Sequence, residues 1–114
     1  MWLCTGEVQL PAKVLGQIER DELRISPAVL MEMRFLQEIE RVNIGPDEWM
    51  EILRRDFGVA VCGLPFQGVV AKSFALDWTR DPFDRLIVAQ AIAGKAKVIT
   101  KDRSIHKNFA GALW

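Results

Sequence analysis

Net charge, histidine, cysteine and long apolar runs are all scarce in this chain of 114 residues, and each scarcity removes a class of function. The 15 Lys and Arg are matched by 15 Asp and Glu, leaving a formal charge of zero at pH 7. Unspecific binding to nucleic acid or to acidic membrane draws on net positive charge, so neither broad mode fits. The two cysteines, Cys4 and Cys62, stand far apart in no ligand spacing. The opening Met1-Trp2-Leu3-Cys4-Thr5-Gly6 turns polar too soon for a signal peptide, so the expected setting is reduced and cytoplasmic. His106 is the only histidine, which excludes a histidine-based metal cage and a Cys–His nucleophile pair and leaves it a surface or helix-end role. The longest apolar run, Leu86 to Ala93, contains Gln90 and falls far short of the roughly 18 residues a membrane span needs. Repeats, low-complexity tracts and Gly/Ser linkers are absent, and Gly94-Lys95-Ala96-Lys97 lacks the pattern of a phosphate-binding loop, reading instead as a helix end before a strand.

What is present suits one globular domain over residues 1–114: half the residues are hydrophobic and 26% are charged. Pro11, Pro27, Pro46, Pro65 and Pro82 all suit the first position of a helix, where a missing N–H costs nothing. Between them lie short apolar runs of strand character at Leu23-Arg24-Ile25, Val59-Ala60-Val61-Cys62, Lys97-Val98-Ile99-Thr100 and Ala112-Leu113-Trp114. Alternating helices and short buried strands imply crossover connections and a parallel sheet flanked by helices, an α/β fold. In such folds the functional crevice lies beyond the carboxyl ends of the strands.

Three acidic positions point to that crevice. The helix from Pro27 places Val29, Met31, Met33, Phe35, Leu36, Ile39 and Val42 on one broad apolar arc with Glu32 in its middle. A carboxylate there is costly unless it is paired, bound to a metal or protonated; the plainer alternative is an edge position or an Arg partner. In Thr79-Arg80-Asp81-Pro82-Phe83-Asp84-Arg85, Asp81 suits a helix N-cap, while Asp84 shares a face with Ile87, Val88 and Ala91 and points into the upper rim of the fold. Asp102 follows Ile99-Thr100-Lys101 at a strand end, where a turn or a cap is its plainer role. Together the three can converge on one crevice. Convergent carboxylates repel, and a hard divalent cation, Mg²⁺ or Mn²⁺, is the usual way to hold them ionised and ready for phosphoryl chemistry. Arg80, Arg85, Lys101 and Arg103 alternate with the acids and form either a rim for an RNA backbone or ordinary surface charge. Trp49 sits with Ile52, Leu53 and Phe57 at helical spacing and reads as core or dimer interface.

At these residues the sequence resembles the PIN-domain ribonucleases, in particular the VapC-type toxins of toxin–antitoxin pairs. Ser26-Pro27-Ala28-Val29-Leu30-Met31-Glu32 is similar to the family's second strand and acid-bearing helix. Asp81-Pro82-Phe83-Asp84-Arg85-Leu86-Ile87-Val88-Ala89-Gln90-Ala91 resembles its most characteristic stretch, and Val98-Ile99-Thr100-Lys101-Asp102 the strand that ends in another acid. The resemblance implies a Mg²⁺- or Mn²⁺-dependent endoribonuclease, commonly a homodimer, inhibited by a cognate antitoxin. Carried over by position, Glu32, Asp84 and Asp102 are its catalytic, metal-holding acids, with Asp81 contributing.

One part of the family pattern is missing. The first strand, central in the sheet and ending in Asp, has no counterpart, because Met1-Trp2-Leu3 aligns just beyond it. The expectation is therefore a PIN-like domain without its central strand and that Asp, for which neither Glu7 nor Asp21 is an obvious substitute. Two alternatives follow: a catalytically impaired remnant that binds an antitoxin or another protein, and a flavodoxin-like binding domain whose acids are caps, with Glu32 remote from Asp84 and Asp102.

Overall fold

Three prolines begin helices as their missing N–H predicts, and two aspartates and a serine cap helices with their side chains. The computed structural model describes Trp2–Leu3 and residues 23–113; the helix expected at Pro11 lies outside them. Helix α1 (Pro27–Glu38) follows Ser26, whose side chain accepts from the Ala28 N–H. Helix α2 (Pro46–Phe57) carries Asp47 and Glu48 in its first turn and Arg54 and Arg55 in its last, each sign matched to the helix dipole. It stops at Gly58, whose φ of 67° is the left-handed conformation that glycine adopts without a Cβ penalty. Helix α3 (Phe66–Ser73) departs from expectation by one position: Pro65 is its N-cap and still has extended backbone (ψ 125°), so the helix begins at Phe66. Asp81 caps α4 (Pro82–Ala93) and Asp102 caps α5 (Arg103–Asn108).

The strands are β1 (Trp2–Leu3), β2 (Arg24–Ile25), β3 (Ala60–Val61), β4 (Val98–Ile99) and β5 (Ala112–Leu113). Among the described residues they form one sheet in the order β3-β2-β1-β4-β5, with every pairing parallel. This is the α/β arrangement expected. The expectation of a sheet without its central strand is corrected. Trp2 pairs with Arg24 on one side, and Trp2 and Leu3 with Val98 and Ile99 on the other. Backbone amides at the centre of a sheet must be hydrogen-bonded, and the extended Trp2–Leu3 segment meets that demand. It brings no acid, however; the next residue in the chain is Cys4.

Successive strands run outward from β1 to β2 to β3, then return across the sheet to β4 and β5. The direction reverses between β1 and β4, the switch point at which such sheets open a crevice beyond their carboxyl ends. The core beneath it gathers Ile25, Val29, Met33, Trp49, Leu53, Ile87, Val98 and Ile99. Each such side chain contributes about 1.5–3 kcal/mol by leaving water. Trp49, 2% exposed, belongs to this core. Among the described residues no helix is long and apolar enough to cross a membrane.

Candidate active site

The apolar arc of α1 divides in two. Val29 and Met33 are buried in the core and Leu36 packs partly against it, whereas Met31, Phe35 and Ile39 are exposed. At 100° per residue the arc is wider than the surface the core can cover, so one edge faces outward. Glu32 lies on the boundary and is half-buried. It faces α4, the helix with the longest buried stretch, Ile87 to Ala91.

Two contacts hold α1 against α4. At the N-terminus of α1 the buried Ser26 hydroxyl donates to the side-chain oxygen of Gln90, itself only 4% exposed. Further along, the rings of Phe35 and Phe83 meet edge to face with centroids 5.6 Å apart. Phe35 is one turn from Glu32 and Phe83 adjoins Asp84, so the two ties fix the helices that carry these acids.

Asp81 and Asp102 share a second device. The Asp81 N–H donates to the Thr79 hydroxyl at 3.1 Å, and its carboxylate accepts from the N–H groups of Phe83 and Asp84 at 2.9 and 3.4 Å. Likewise the Asp102 N–H donates to the Thr100 hydroxyl at 3.0 Å, and its carboxylate accepts from the Ile105 N–H at 3.0 Å. Both acids therefore cap their helices, as the sequence suggested, and each is gripped by the threonine two positions earlier. Neither threonine stood out in the sequence, although the repeated Thr-x-Asp spacing was there to be found.

The four acids act on one another. Burial first, then the charges of Asp81 and Asp102, push Glu32 above the usual carboxylate range. Burial again leads at Asp84, followed by the charges of Asp81, Asp102 and Glu32, and together they lift it to about 7. Glu32, Asp84, Asp81 and Asp102 thus lie near enough for their charges to be felt at Glu32 and Asp84. Among the described residues no three His, Cys, Asp or Glu side chains gather closely enough to form a ready-made metal cage. The donors are nevertheless all carboxylate oxygens, and Mg²⁺ commonly binds through one or two of these while keeping its waters, so the set fits a hard divalent cation.

Of the four cations expected at the rim, Arg80, Lys101 and Arg103 are exposed and Arg85 is half-buried. The Arg85 Nε–H donates to the Thr79 carbonyl at 2.6 Å, tying α4 to the segment before it. Between α1, α3 and α4 lies an apolar hollow of about 250 Å³, walled by Met31, Leu64, Phe66, Val69, Phe83 and Leu86, with the Ser26–Gln90 pair on its lining.

The PIN domain family model matches residues 6–110, a span that contains Glu32, Asp81, Asp84 and Asp102. The chain belongs to the PIN-domain family. PIN domains are in general nucleases, which places the chain in a nuclease family at a coarse level. No match was found among curated proteins or among solved structures.

Proposed function

We propose that this PIN domain is a divalent-metal-dependent endoribonuclease of the VapC type, the toxin of a toxin–antitoxin pair acting in the cytoplasm. The observation that carries the proposal is the PIN-domain match over residues 6–110, which takes in Glu32, Asp81, Asp84 and Asp102 on a parallel sheet with a switch point between β1 and β4; the burial and mutual repulsion that raise Asp84 support it. Repulsion of this kind is costly to a fold and is relieved when a cation binds. Glu32, Asp84 and Asp102, with Asp81 nearby, would hold Mg²⁺ or Mn²⁺, which supplies activation of water and neutralisation of charge on the phosphate. The chain's own part is to set the acids on two helices locked together by Ser26–Gln90 and Phe35–Phe83, and to place Arg80, Lys101 and Arg103 where an RNA backbone passes. Exposed Met31, Phe35, Ile39, Phe66 and Phe74 offer an apolar surface of the kind that protein partners cover, here a second copy and an antitoxin.

The test is cleavage of RNA by the purified chain with Mg²⁺ or Mn²⁺. The expected result is cleavage that stops on chelation and in Asp84→Asn; cleavage that survives that substitution overturns the assignment. One observation favours a second reading, a catalytically impaired protein-binding module: the described central strand, Trp2–Leu3, carries no acid. In that case a purified antitoxin still binds while titration with Mn²⁺ finds no saturable site.

A further inference from the structure

The only histidine of the chain closes a ring of hydrogen bonds around Asp102. Thr100 directly follows β4 and is 2% exposed. Its N–H donates to the Leu113 carbonyl of the β5 strand at 2.9 Å, its hydroxyl accepts from the Asp102 N–H at 3.0 Å, and its carbonyl meets His106 Nε2 at 2.7 Å. The backbone N–H of His106 in turn donates to the Asp102 carbonyl at 3.1 Å, the first bond of the helix. Every polar group of Thr100 is thus engaged. The carbonyl at the end of the strand receives its donor from an imidazole on α5. Because that acceptor is a carbonyl, His106 must carry its proton on Nε2, which both the neutral Nε2–H tautomer and the cation provide.

We infer that Thr100 and His106 are positioning residues that set the place and direction of the Asp102 carboxylate. Asp81 shows what the arrangement adds. It has the same threonine grip, from Thr79, but its bonds are exposed, whereas Asp102 hangs from a buried threonine anchored in the sheet. Helix α5 spans only Arg103–Asn108, too short to hold its own N-terminus by propensity, so contacts outside it hold it: Ile105 is buried, and the His106 ring reaches the Thr100 carbonyl. The consequence for catalysis rests on the nuclease reading; the clamp itself does not.

The experiment compares His106→Ala, His106→Gln and Thr100→Val with the wild-type chain. Glutamine can still present an N–H donor to the Thr100 carbonyl, and valine keeps the shape of threonine without its hydroxyl. Nitrogen-15 NMR of the wild type is expected to show a protonated Nε2, and His106→Ala to displace the Asp102 and Ile105 amide signals. Mn²⁺ affinity and kcat are expected to fall about tenfold or more in His106→Ala and Thr100→Val, with KM for RNA nearly unchanged, and His106→Gln to recover most of the loss. A His106→Ala variant with undisturbed amide signals, or a His106→Gln variant no better than alanine, overturns the inference. A wild-type chain that neither binds Mn²⁺ nor cleaves RNA overturns the nuclease reading instead and leaves the clamp to be judged by the NMR signals.

Discussion

Ser26 and Gln90, 64 positions apart, form a buried hydrogen bond from the cap of one acid-bearing helix to the interior of the other. The serine has two tasks, since the same hydroxyl oxygen accepts from the Ala28 N–H at 3.2 Å. Removing the glutamine amide strips a buried hydroxyl of its acceptor. Gln90→Leu is expected to lose about 1–3 kcal/mol of stability, read from the midpoint of urea unfolding. Combined with Ser26→Ala, the loss should be smaller than the sum of the two, because each single change breaks the same bond.

Asp84 gives stability a definite pH dependence. Its folded-state value of about 7 lies above the ordinary value of 3.8. Between those limits the folded chain holds a proton that the unfolded chain has released, so this group's contribution declines as pH rises from about 4 to about 7 and then levels off. Asp84→Asn removes the titration. The expected outcome is a flatter stability–pH curve for the variant, measured by urea unfolding at a series of pH values, with the gap between the two chains widest above pH 7.

The same protons compete with a cation. Mn²⁺ or Mg²⁺ is expected to raise the melting temperature more at pH 8 than at pH 6, because below about 7 Asp84 is held by a proton. Equal shifts at the two pH values would mean that the acids are not the ligands.

The arginines around the site should separate by task. Arg85 is tied through Nε to the Thr79 carbonyl, so Arg85→Ala is expected to lower the melting temperature, with a loss on the order of 1–3 kcal/mol for a charged donor. Arg80 and Arg103 are exposed, so their alanine variants should unfold like the wild type. If they meet phosphates, each lowers the salt dependence of RNA binding by about one unit of slope, measured by fluorescence anisotropy across salt concentrations.

Phe66 is 70% exposed at the edge of the apolar hollow. A charge there disturbs no core contact, so Phe66→Glu is expected to change stability by no more than about 0.5 kcal/mol. If that face joins two copies, sedimentation should show the wild type as a dimer and the variant as a monomer.

Features that depend on neighbours in sequence were legible in the chain. Pro27, Pro46 and Pro82 begin helices because a first-turn proline sacrifices no bond, and Asp81 and Asp102 cap because an aspartate before a helix can reach its free N–H groups. Helical spacing marked Trp49 and Leu53 as core or dimer interface, and burial makes them core. Glu32, Asp84 and Asp102 could be singled out because acids on apolar faces or at strand ends conflict with their surroundings. The outward edge of the α1 arc was hidden, since periodicity marks a face as apolar without saying how much of it a neighbour covers. Trp2–Leu3 as the central strand and the Ser26–Gln90 bond were hidden too, because each joins parts of the chain that only the finished topology brings together; the grip of His106 on the Thr100 carbonyl, six positions back, was hidden because a histidine near a helix end does not declare which acceptor its ring reaches.

The place of β1 also governs when the four acids can come together. Trp2 pairs with Val98, so the centre of the sheet joins segments from nearly opposite ends of the described chain. Contacts of such long sequence separation slow folding, because the loop between them must be closed before they repay its entropy. On the ribosome the sheet stays open until Val98 has emerged, and Asp102 emerges only a few residues later. Closure of the sheet and the approach of Asp102 to the other three acids therefore fall together, and a nascent chain that has not yet exposed Val98 carries the earlier helices without that grouping.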